Sequence, residues 1–228
     1  MKTSKNFRLF SFFWLSLVII SSGCNDDDDV NGPPKDADGN VYTSVTIGDQ
    51  EWLVENLKTT SLNDGTPIPE IDDNIEWTNL QEPGFSWYEN DENQHKEVYG
   101  ALYNWYAVET GKLCPNGWHV PTAEEWEILH DFLGDSAASK LKESGNAHWS
   151  LQNGDATNST GFTALPGGYR VPVNGFREKG IYGYWWSGSS DPNNSSRIFG
   201  REMNAFSRDG SEVVYGKNYG MSIRCIRN

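Results

Sequence analysis

Sulfur is scarce in this chain: three cysteines and three methionines among 228 residues exclude a thiolate-rich zinc module or an iron–sulfur protein. Basic side chains are also few, with 18 Lys and Arg against 32 Asp and Glu and a formal net charge of -14. No Lys/Arg cluster offsets that charge, so a phosphate backbone is repelled and nucleic acid is excluded as a partner. The one long apolar run, Leu9 to Ile20, is shorter than the roughly 20 residues of a spanning helix, and mean hydropathy is -0.65, which excludes a polytopic membrane protein. Gly-x-Ser-x-Gly, His-Glu-x-x-His and phosphate-loop spacings are missing, and the four histidines (95, 119, 130, 148) contain no close ligand pair. No enzyme signature and no cofactor or metal site is therefore expected. No repeat of fixed period occurs, which argues against a solenoid or propeller.

What is abundant is aromatic: ten Trp, ten Tyr and ten Phe supply enough apolar surface for a folded core. At the start of the chain, Lys2, Lys5 and Arg8 precede the apolar run, and Ser21, Ser22 and Gly23 lead into Cys24. That order is an export signal. It resembles the lipobox of bacterial lipoproteins, with Ser21 where a larger apolar residue is usual, and the resemblance implies a signal peptide over 1–23 and an acylated Cys24. Asn25 and Asp26 to Asp29 resemble the acidic tether that directs Bacteroidota-type lipoproteins to the outer face of the outer membrane. With Gly32, Pro33 and Pro34, residues 24–35 read as a linker unable to pack a core. Once Cys24 is set aside, Cys114 and Cys225 remain, and an isolated pair in an oxidising compartment is expected to form one structural disulfide.

Residues 36–228 read as one domain. Val41, Thr43, Val45 and Ile47 alternate, Gly48-Asp49 turns, and Gln50 to Val54 returns, which predicts a hairpin. From Ser61 to Lys96 the composition predicts long loops pinned by Trp77, Phe85, Trp87 and Tyr88, with Asp72-Asp73 and Asp91-Glu92 solvated. Val98 to Val108, with Tyr99, Leu102, Tyr103, Trp105 and Tyr106, fits a short buried helix about as well as a strand, and the helix is preferred. Thr122 and Glu125 form a capping box for a helix over about 123–133, with Trp126, Leu129, Phe132 and Leu133 on its apolar stripe and Gly134 closing it in a left-handed conformation. A second helix is expected over Ser136–Glu143, and strands near Gly168–Val171, Tyr184–Ser187, Arg201–Ser207 and Met221–Ile226. The class is α+β with much loop.

Several blocks carry a family resemblance: Asp38-Gly39-Asn40-Val41-Tyr42, Ile47-Gly48-Asp49-Gln50-Glu51-Trp52, Glu55-Asn56-Leu57, Tyr99 to Ala107, Cys114 to Thr122, Gly161 to Arg170, Trp185-Trp186-Ser187 and Ser222-Ile223-Arg224-Cys225. In this order they resemble the Fibrobacter succinogenes major paralogous domain family over about Lys35 to Asn228. The resemblance implies a secreted or lipid-anchored surface protein without assigned catalysis. More distantly, Val120 to Glu127, the Trp-Trp-Ser segment and the Arg-rich last strand resemble the sulfatase-modifying-factor family, which implies a C-type-lectin-like fold. Its copper-binding redox cysteines have no counterpart here beyond Cys114 and Cys225, and the Glu-Pro-Asn and Trp-Asn-Asp calcium signatures of C-type lectins are missing.

Chemistry then points to binding. Tyr182, Tyr184, Trp185 and Trp186 fall within five residues, followed by Asp191, Asn193 and Asn194, which pairs stacking rings with the polar acceptors that sugars need. Alternation along a strand turns one of Trp185 and Trp186 inward. The expected protein is a surface-exposed outer-membrane lipoprotein, held to the membrane by its N-terminal lipid. Its non-catalytic domain takes polysaccharide or another surface partner through Tyr184, Trp186, Asp191, Asn193 and Asn194. The alternatives are a structural surface-coat protein and a degenerate or active sulfatase-modifying-factor-like enzyme.

Overall fold

The computed structural model describes Met1, residues 32–150 and residues 152–228. The rest of the expected signal peptide, the Cys24 anchor and the acidic part of the linker lie outside the described residues. Asn31–Asn228 cluster as one compact unit. Its strands are β1 (Ser44–Ile47), β2 (Gln50–Leu53), β3 (Phe85–Ser86), β4 (Leu102–Tyr103), β5 (Trp118–His119), β6 (Tyr169–Val171), β7 (Gly175–Arg177), β8 (Tyr182–Asp191), β9 (Asn194–Asn204), β10 (Ser211–Tyr215) and β11 (Ile226–Arg227). Its α-helices are α1 (Asn74–Asn79), α2 (Glu92–Tyr99), α3 (Trp105–Glu109), α4 (Ala123–Leu133) and α5 (Ala137–Leu141). The strands form antiparallel sheets in the orders β1-β2-β11-β5, β10-β9-β8, β3-β4 and β6-β7. The class is α+β.

The first hairpin has the expected two-residue loop, with Ile47 opposite Gln50. Gly48 takes φ 62, and a Cβ there would stand 3.0 Å from the Phe132 ring, so backbone angle and close approach both call for glycine. The alternation does not extend back to Val41, which is exposed; Tyr42 is buried instead, because its hydroxyl donates to Asp36 Oδ2 at 2.6 Å. Asp36 also accepts from the amides of Asp38 and Asn40 and from Asn40 Nδ2, so the residue that follows the expected linker is tied into the fold.

Between residues 61 and 96, Trp77, Phe85, Trp87 and Tyr88 are buried as expected. The segment nevertheless contains α1 and α2. Asp72, Asp73 and Glu92 are exposed as expected and Asp91 is half-buried, and two of these acids also cap helices: Asp73 accepts from the amides of Ile75 and Glu76, and Asp91 from that of Gln94. The helix expected over 98–108 is split: β4 comes first, then Asn104 caps α3 by accepting from the Ala107 amide.

Helix α4 has the expected boundaries and capping box. Trp126 and Leu129 are buried, whereas Phe132 is 63% exposed, lying outside the core over the Gly48 turn. Gly134 has a positive φ of 63 with ψ -152, outside the left-handed helical region. Helix α5 is shorter than expected, and Ser136 precedes it at φ 63, ψ 34. β8 and β9 are longer than expected and β10 was not anticipated. The Met221–Ile226 stretch reaches Tyr103 and Trp185 through single bridges before β11 begins.

β8 divides two apolar cores. Trp185 packs with Trp52, Trp126 and Phe162, while Tyr184 and Trp186 face a cluster containing Trp87, Tyr103 and Trp105. Both faces of the strand are therefore covered. Cys114 and Cys225 form the expected disulfide, with Cα atoms 6.0 Å apart and both side chains buried.

Candidate functional site

Three buried cations have neutral oxygens as hydrogen-bond partners. Arg224 donates to Asn56 Oδ1, to the Leu53 carbonyl at 3.2 Å and to the Phe162 carbonyl at 2.6 Å, with its guanidinium 4.4 Å from the Phe162 ring centroid. Arg170 donates to the carbonyls of Ile71 and Asp72 and to Asn74 Oδ1, beneath the Trp77 ring. Lys142 donates to the carbonyls of Asn204 and Ser207. Burial pulls all three below their ordinary basicity, to about 9 for Arg224 and about 10 for Arg170. These groups tie distant loops together, and with no solvent-facing surface they are scaffold.

The expected binding residues do not converge. Trp186 is fully buried, its Nε1 donating to the Tyr103 carbonyl at 2.8 Å, and it presents no face to a ligand. Tyr184 is 4% exposed. The expectation that Trp186 and Tyr184 form an open stacking platform is thus corrected: β8 has core on both sides. Asp191, Asn193 and Asn194 sit at the β8–β9 turn, where Asp191 accepts from the Asn193 amide at 2.9 Å and lies 3.4 Å from Arg197. Seven residues of strand separate Asp191 from Tyr184, about 20 Å even with the irregularity between Trp186 and Asp191, so they cannot share one sugar.

Tyr184 belongs instead to a cluster that sheet register creates. Residues opposite one another on antiparallel strands share a face, which aligns Tyr182 with Asn204, Tyr184 with Glu202 and Ile198 with Tyr215. Tyr169 of β6 and Tyr219 complete the group. Ring centroids lie 4.5 Å apart for Tyr169–Tyr184, 5.8 Å for Tyr182–Tyr184, 5.8 Å for Tyr169–Tyr215 and 4.7 Å for Tyr215–Tyr219. Tyr169, Tyr182, Tyr215 and Tyr219 are half-buried, leaving part of each at the surface. Gly168 permits this approach: at φ 66, a Cβ would lie 2.3 Å from the Arg177 carbonyl.

Glu178 stands beside these rings. Its carboxylate is exposed and accepts from Tyr184 Oη at 2.7 Å. Its backbone is left-handed at φ 67, uncommon for a residue with a Cβ, and its carbonyl accepts from the amides of Ile181 and Tyr182. Burial raises the Tyr184 phenol far above its ordinary value, with the Glu178 bond adding; burial likewise raises Tyr215 and lifts Tyr169 to about 12. At neutral pH these phenols are all hydrogen-bond donors, alongside the acceptors of Glu178, Glu202 and Asn204.

A cleft of about 290 Å³ lies near the disulfide, with Trp105, Val108, Glu109, His119 and Thr122 among its walls. Its size is close to the lower end of small-ligand sites. Lys217 bonds both carboxylate oxygens of Glu109 at 2.9 Å and lies 4.8 Å from the Trp105 ring centroid.

Each histidine has its own surroundings. His119 Nε2 meets Glu125 at 2.9 Å and its Nδ1 meets Asn228 Oδ1 at 2.7 Å; His148 meets Glu143 at 2.8 Å. His95 is buried against Tyr88 and Tyr99, with Lys179 Nζ 3.3 Å from its Nε2. Among the described residues, Glu127, His130 and Asp131 of α4 could bring one ligand atom each to a common point, but Arg201 already occupies Glu127 at 3.3 Å. The Glu-x-x-His-Asp spacing of that trio was legible in the sequence.

Of the tyrosine face, the sequence segment exposed Tyr182 and Tyr184; Tyr169, Tyr215, Tyr219 and Glu178 escaped it, since only the β8-β9-β10 register and the β6 approach bring them together. Residues 45–227 match the family model of the Fibrobacter succinogenes major domain, and the chain belongs to that family. Comparison with curated proteins and with solved structures returns no match.

Proposed function

We propose that this protein is a surface-exposed outer-membrane lipoprotein whose domain is a non-catalytic, C-type-lectin-like module that binds polysaccharide on the tyrosine face. The carrying observation is the five-ring cluster with Glu178 at its edge. Aromatic rings stack on the apolar faces of sugar rings, while phenols, carboxylates and amides exchange hydrogen bonds with sugar hydroxyls. The lectin-like reading draws on the pairing of β11 between β2 and β5, which joins the two ends of the domain in one sheet. Export and lipidation rest on the basic, apolar and Cys24 order of the first segment.

The test is binding of the full chain to a broad polysaccharide array, with and without calcium. Saturable binding that Tyr169→Ala plus Tyr219→Ala abolishes, in a protein of unchanged circular dichroism, is the expected result. No binding in either condition would shift the reading to a structural surface protein without small ligand, which the use of so many motif residues as core staples favours.

A further inference from the structure

We infer that the tyrosine face and the cleft beside the disulfide are two parts of one strip that holds an extended, uncharged sugar polymer. This rests on the polysaccharide reading above and adds the class of glycan and its mode of binding. The two parts are joined by a short segment. Tyr215 and Tyr219 belong to the tyrosine cluster, and between them Lys217 accepts at its carbonyl from the Trp105 amide at 2.9 Å and covers the Trp105 ring with its ammonium. Trp105 in turn walls the cleft with Glu109. A ligand lying on the exposed parts of Tyr182, Tyr169, Tyr215 and Tyr219, which pack around the buried Tyr184, meets Lys217 next and the cleft after it.

The cluster leaves parts of four rings, Tyr169, Tyr182, Tyr215 and Tyr219, at the surface around the buried Tyr184, more surface than one sugar covers, and the cleft adds a separate concavity with a carboxylate at its edge. A monosaccharide could use only one of these; a chain could use both at once, and each further unit bound would add apolar contact. Charge selects the polymer. Glu109, Glu178 and Glu202 outnumber Arg177 and Lys217 along the strip, and Lys217 is engaged by both oxygens of Glu109. The whole chain carries -14, so uronate or sulfate groups would be repelled on approach and find little cationic compensation on arrival.

The experiment is calorimetric titration of the full chain with linear maltodextrins, mixed-linkage β-glucans and mannans, each as disaccharide and as longer oligomers, beside polygalacturonate. For at least one uncharged series the long oligomers should bind about tenfold or more tighter than the disaccharide. Glu109→Gln and Glu109→Ala should remove that gain, while Tyr169→Ala plus Tyr219→Ala should weaken both lengths. Affinity independent of length, or a length gain untouched by both Glu109 variants, overturns the strip and leaves the tyrosine face standing. Tighter binding of polygalacturonate than of every uncharged series overturns the class of polymer. Failure of all four glycans to bind overturns the inference, while the reading beneath it stands or falls on the polysaccharide array.

Discussion

Arg224 donates from Nε at 3.1 Å and from Nη2 at 2.8 Å to the single side-chain oxygen of Asn56, across a sequence separation of 168. Trp185 Nε1 donates to the same oxygen at 2.9 Å, and Asn56 Nδ2 donates to the Tyr99 carbonyl at 2.9 Å. Four of the blocks that mark the family therefore meet at one amide. Their joint role is to build the core, which is why they identify the domain without locating a ligand.

Replacing that amide should be severe. Asn56→Ala leaves a fully buried guanidinium and an indole N–H short of an acceptor, at an expected destabilisation of about 3–5 kcal/mol. Urea unfolding followed by Trp fluorescence measures it; a loss below about 1 kcal/mol would mean that water or a rearranged carbonyl replaces the amide.

Removing the disulfide should lower stability by about 4–5 kcal/mol in the chain-entropy account, since it closes a loop with a sequence separation of 111. Both cysteines are buried, so reduction of the native protein should track unfolding. The measurements are the urea midpoint of Cys114→Ala plus Cys225→Ala and the rate of thiol release under reductant. Fast release without unfolding would contradict the buried placement.

The apolar stripe of α4 separates into two classes. Leu129→Ala should cost about 2–5 kcal/mol, because the side chain is 1% exposed. Phe132→Ser should change stability by about 0.5 kcal/mol or less, since the ring is largely in solvent. Equal losses at the two positions would show Phe132 to be a core residue after all.

Alkali should act through the tyrosine face. A phenol raised in the folded state holds its proton above pH 10 while the unfolded chain has released it, so the folded form binds more protons there and stability falls as pH rises. For Tyr169 that fall runs from about pH 10 to about 12. Ultraviolet absorbance of phenolate should show a late-titrating set, and Tyr169→Phe should remove one member of it. Titration of every tyrosine near pH 10 in the folded protein would count against the clustering.

Acid should act through His95. Burial, then the neighbouring Lys179 ammonium, lowers its basicity, so below about pH 6.5 the unfolded chain takes up a proton that the folded one resists. Stability conferred above that pH is lost as pH falls, and His95→Phe should flatten the decline between pH 7 and 5. An unchanged slope would place the acid sensitivity elsewhere.

Local signals with a local cause were legible in the sequence. The Gly48-Asp49 turn, the Thr122–Glu125 capping box and the buried rings of residues 77–88 are each set within a few residues. What depends on distant pairing was not. Asp73 and Asp91 looked like solvated acids, and the helices behind them give them a capping role as well, while Trp186 looked like a stacking ring until core was found on both sides of β8. That correction changes how binding can be probed: Trp186→Ala should cost about 3–5 kcal/mol of folding stability, so its effect on a ligand cannot be read apart from unfolding. The tyrosine face arises from four separated segments, and no window of the sequence contains it.

The place where the chain enters the domain has a mechanical side. The Pro34 carbonyl accepts from the Tyr42 amide at 2.9 Å, Lys35 bridges to Val41, and Asp36 grips both Asn40 and the Tyr42 hydroxyl, which in turn accepts from the Lys58 amide. A pull on the residues ahead of Pro34 would meet this knot first, and the several hydrogen bonds that share the load would have to yield before tension reached the β1–β2 hairpin. The domain thus has a built-in strain relief at the end from which a tethered protein would be tugged.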